Sequence, residues 1–120
     1  MSAHFIPFTM HTESGAWFGG FAEYWAGIQA WKALAYACIN DEDLYRGIED
    51  VDGWVHPDTV KEFANVIRNL DTSTMPLPEF EYLSGAPSEK QDEWVRSCAA
   101  RLKAVILDSA EKGRGILHFH

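Results

Sequence analysis

The chain is short of cysteine and of positive charge, and it lacks the compact motifs that mark most catalytic sites. Cys38 and Cys98 are its only cysteines. Both fall on apolar faces of predicted helices, so they read as reduced core thiols, not as a disulfide framework or a nucleophile. Lys and Arg number 10 against 18 Asp and Glu, giving a formal charge of −8 and a pI near 4.9. Phosphate neutralisation needs a basic face, so direct nucleic-acid binding is not expected. A partner selected by charge would be a basic one. No Gly-rich phosphate loop, nucleophile elbow, HExxH or CxxC occurs. Ser14 lacks the flanking pattern of a nucleophile, and Gly113-Arg114-Gly115 is too short to cradle a phosphate. General acids can come from anywhere in a sequence, but nothing here selects a carboxylate pair. The expectation is a protein that acts by binding. Repeats, low-complexity tracts and long linkers are also missing, so residues 1–120 read as a single globular domain.

Aromatic residues, in contrast, are concentrated. Seven of the sixteen lie between Trp17 and Tyr36: Trp17, Phe18, Phe21, Tyr24, Trp25, Trp31 and Tyr36. From Ala16 to Ile39 only Glu23, Gln29 and Lys32 are strongly polar. A helix this apolar must be covered by a core, a membrane or a partner. The run is long enough to span a bilayer. Glu23 and Lys32, however, would each cost roughly 2.5–3.5 kcal/mol at the bilayer centre, and no Lys/Arg cluster flanks either end. The N-terminal segment has no basic start, and Pro7 and His11 break its apolar run, unlike a signal peptide. The reading is a soluble, cytoplasmic chain with no membrane span.

Periodicity predicts a mainly α (α+β) fold: three to four helices with a small two-stranded antiparallel sheet joining the N- and C-terminal segments. His4 to His11 is β-prone, and Pro7 confines it to an edge or an arm. A long helix is expected from between Trp17 and Phe21 to about Ile39, with Gln29, Lys32, Tyr36 and Asn40 as its polar stripe. Asn40 or Asp41 caps a short second helix with Leu44 and Ile48 inward. Asp52-Gly53 is a turn, and Pro57 opens a third helix along Val60, Phe63, Ala64, Ile67 and Leu70. Residues 71–78 are expected to form a loop, and Glu79 to Leu83 one helical turn. Ser88 with Gln91 begins a long helix that Gly113 ends. Ile116 to His120 alternates as a strand and is expected to pair with the N-terminal one.

Three groups of residues are candidates for function. Asp41, Glu42, Asp43, Glu49, Asp50 and Asp52 form an acid cluster offset only by Arg46, with Tyr45 and Trp54 among them. Carboxylates interleaved with aromatics suit contact with a basic protein. The same stretch fails as an EF-hand: the register set by Asp50, Asp52 and Gly53 puts Ile48 at the first ligand position and Thr59 at the twelfth. The second group is His118 and His120, which share a strand face, with His4 or His11 brought near by terminal pairing. Such a set would suit zinc or a small ligand. The third is the surplus of apolar groups (Trp17, Phe18, Phe21 and Trp31), which would make the protein an obligate homo-oligomer. The leading expectation is a small acidic inhibitor or immunity-type protein that occludes a basic macromolecule, in one variant by mimicking nucleic acid. The metal or small-ligand protein and the oligomeric structural protein are the alternatives.

Overall fold

A computed structural model describes residues 2–11, 15–17, 23–49, 53–78 and 88–119. Among them the elements run β1 (Ser2–His11), β2 (Gly15–Trp17), β3 (Tyr24–Gly27), α1 (Ile28–Tyr36), α2 (Glu42–Glu49), β4 (Trp54–Val55), α3 (Pro57–Ile67), α4 (Ser88–Glu111) and β5 (Gly115–Phe119). The fold is mainly α with a small antiparallel sheet, and its two terminal strands pair as the sequence implied.

The sheet is larger than two strands. Its order is β2-β1-β5-β4, with β3 also paired to β1. β1 and β5 are antiparallel, with Phe5 opposite His118 and Pro7 opposite Ile116. Phe5 also pairs with Tyr24 of β3, so β3 and β5 flank β1 on opposite edges. β1 is therefore not the edge strand or arm expected from Pro7. Yet Pro7 falls in the gap between β3, which pairs with Ser2–Phe5, and β2, which pairs with Thr9–His11, so that among the described residues only β5 is paired beside it.

The expected long aromatic helix is only partly helical. Tyr24–Gly27 is strand, and the helix runs from Ile28 to Tyr36. Two physical effects favour this arrangement. Aromatic residues suit a pleated surface, and glycine in a helix interior costs about 1 kcal/mol, which weighs against helix through Gly27. Residues 18–22, including Gly19 and Gly20, lie outside the described residues. Beyond Gly27, the helix formers Ala30, Ala33, Leu34 and Ala35 take over, and all four are buried. The polar stripe behaves as expected: Lys32 and Asn40 are exposed, Gln29 and Tyr36 half-buried.

Local signals set the other helices. Asp41 caps α2 by accepting from the Leu44 N–H through Oδ1 at 3.1 Å. Pro57 opens α3, with His56 Nδ1 accepting from the Asp58 N–H at 3.2 Å. At the end of α4 the Arg114 N–H reaches Ser109 O at 2.8 Å and the Gly113 N–H reaches Ala110 O at 3.2 Å. That pair of hydrogen bonds to the last carbonyls, with Gly113 at φ +68, is a Schellman cap. Glu79 to Leu83 lies outside the described residues.

One core joins every helix to one face of the sheet. It contains Ala3, Phe5, Val55 and Ile116 from the strands, Trp31 and Leu34 from α1, and Leu44 and Ile48 from α2. Phe63 and Ile67 from α3 and Leu102 and Ile106 from α4 complete it. Trp31 is its hub, with Phe5 at 5.4 Å and Phe63 edge-on at 5.6 Å between ring centroids. Basic side chains of α4 hold the loop after α3 by its carbonyls: Lys103 Nζ donates to Leu70 O at 2.8 Å and Arg96 Nε to Met75 O at 3.2 Å. No helix among the described residues is long and apolar enough to cross a membrane.

Candidate binding surfaces

The acid cluster is carried by a helix whose geometry points its carboxylates outward. Leu44 and Ile48, one turn apart, are buried in the core. Asp41, Glu42, Asp43 and Arg46 are exposed, and Tyr45 is half-buried. Among the described residues of α2 the one cation, Arg46, lies 3.9 Å from Glu42, and both are largely in water. That pair does little to neutralise the cluster. Two acids in the first turn also complement the positive end of the helix dipole. Asp50, Asp52 and the Glu49 side chain lie outside the described residues. Ile48, at the first ligand position of the calcium register, is a fully buried core side chain.

Trp54 belongs to a different surface. It is opposite Leu117 on β4, and Leu117 is opposite Ile6 on β1. Directly opposed residues share a sheet face, so Trp54 stands with Ile6 and Leu117 on the face turned away from the helices. Phe8 lies on this outer face too. Its ring passes over Gly115, where a Cβ would collide with it, and Trp54 covers it edge-on at 5.2 Å between centroids. Phe8 is buried yet separate from the main core. Around it the face is open: Met10 is 46% exposed, Trp54 41% and Phe119 46%.

The sequence reading did not single out Met10 and Phe119. The signal was present in HFIPFTMH, where Ile6, Phe8 and Met10 alternate with Phe5 and Pro7 so that both strand faces are apolar. An antiparallel sheet with one wet face ordinarily shows apolar-in, polar-out alternation.

The histidines divide between the two faces. His4 is opposite Phe119 and stacks on it, with ring centroids 4.9 Å apart, and its Nδ1 meets the Glu23 carboxylate. His118 is opposite Phe5 on the helix side and lies 4.4 Å from the Trp31 ring. Alternation therefore separates His4 from His118. His120 and the His11 side chain lie outside the described residues. Among the described residues no group of three His, Cys, Asp or Glu is placed to hold a metal ion.

Trp31 is consumed by the core, so it is not a surplus apolar group. Phe18, Phe21 and the Trp17 side chain lie outside the described residues. Both cysteines are unpaired and buried. Burial, with the nearby Asp41 charge as a smaller cause, pushes the Cys38 thiol up to about 12, which suppresses the thiolate a nucleophile needs. Burial likewise raises Tyr24, whose hydroxyl donates to Cys98 O at 3.1 Å, although the Arg101 charge acts against the rise. These two groups are structural.

An open groove between α3 and α4 is lined by Lys61, Asn65, Arg68, Leu107, Asp108 and Glu111 among others. Its charges are of both signs, and Asp108 is already engaged by Lys112 at 3.0 Å. It selects no ligand chemistry. No family model matches the chain, and neither a curated protein nor a solved structure matches it.

Proposed function

We propose that this protein is a cytoplasmic binding module that occludes a basic macromolecule through the outward face of α2, as an inhibitor or immunity-type protein does. The observation that carries this reading is the division of α2 into two faces. Leu44 and Ile48 anchor it in the core, while Asp41, Glu42 and Asp43 are presented to solvent. Carboxylates held on a packed, capped helix are pre-organised, so a partner binding them loses little to ordering. The charge of −8 adds long-range attraction for a basic partner and speeds encounter. Two unpaired thiols suit a reducing compartment.

The test is capture from native-host lysate at low and moderate salt, with identification of what is retained. A basic protein recovered at low salt and depleted at moderate salt is expected. Glu42→Gln with Asp43→Asn and Glu49→Gln should weaken its binding and flatten the salt dependence. A partner held equally by the triple variant, at both salts, removes α2 as the contact.

A further inference from the structure

We draw no further inference here: the strongest candidate, the apolar outer face of the sheet around Met10, Trp54 and Phe119, stands nearly half exposed, and nothing in the structure shows what covers it.

Discussion

The two faces of the sheet are built by the same strands from similar residues, yet they end in opposite environments. On the helix side Ala3, Phe5, Val55 and Ile116 are each no more than 1% exposed. On the other side Met10, Trp54 and Phe119 remain nearly half in water. Composition does not separate the two faces, since both are apolar. What separates them is connectivity: α1, α3 and α4 all pack against one side, and no described helix lies on the other. Apolar character therefore reports that a face needs cover, and topology decides whether the chain supplies it. Phe8 shows what happens without a helix, because Trp54 from the edge strand folds across it as a substitute cover.

The largest effect should come from opening the covered side. Phe5→Ala removes a ring packed on Trp31 and leaves a cavity at the centre of the core. A loss of about 3–5 kcal/mol is expected in urea unfolding. Phe119→Ser, the outer-face counterpart, should stay within about 0.5 kcal/mol of the parent at dilute concentration. If the two substitutions cost the same, the distinction between the faces is wrong.

The edge strand offers a sharper comparison, because β4 contributes Val55 to one face and Trp54 to the other. Its position depends on Gly53, which sits at φ +85 with its carbonyl accepting from the His118 N–H at 2.7 Å. A Cβ there would strike the His118 carbonyl oxygen. Gly53→Ala should cost roughly 1–2 kcal/mol from conformation alone, and more from the displaced strand. Gly113 is also left-handed, but a Cβ on it meets nothing within 4 Å. Gly113→Ala should show only the conformational cost. Equal losses at the two sites would mean that β4 is not held by this close approach.

Much of this fold is legible in the sequence, for identifiable reasons. The Val60, Phe63, Ala64, Ile67 repeat, the Pro57 start, the Asp41 cap and the Gly113 stop are local signals, and each names its element without tertiary information. The pairing of β1 with β5 followed from two short alternating segments left at the ends. The Tyr24–Gly27 stretch was misread because an apolar run shows no period when it is covered on all sides. Whether it becomes helix or strand depends on a free edge of β1, which no local pattern reveals. For the same reason the sequence grouped Trp54 with the α2 acids. Neighbours along the chain, they point to different surfaces once β4 joins β5 in the sheet.

The thiol at the end of α1 tests burial on the helix side by titration. Cys38 is raised from an ordinary value near 9.0 to about 12. The folded state therefore keeps its proton at pH values where the unfolded chain releases it. The contribution is fully present below about pH 9 and is lost as pH rises toward 12, by at most about 1.4 kcal/mol per pH unit. Tyr24, also raised, adds to the alkaline decline. The difference between the parent and Cys38→Ala isolates the thiol. Superimposable pH profiles between pH 9 and 11 would show that Cys38 meets solvent in the fold.

The smallest effect concerns the surface on which the proposed function rests. Asp41 has two separable roles: its Oδ1 caps α2 through the Leu44 N–H, and its charge adds to the acid face. Asp41→Ala removes both and should cost about 1 kcal/mol of stability. Asp41→Asn keeps an equally good cap and removes only the charge. The asparagine variant should therefore melt near the parent while binding a basic partner less tightly at low salt, with the gap closing at moderate salt. If it binds like the parent and the alanine variant binds worse, the helix matters for its shape and the carboxylate only for its cap. The partner would then recognise the backbone position of α2, and the acid face would be no more than a solvated surface.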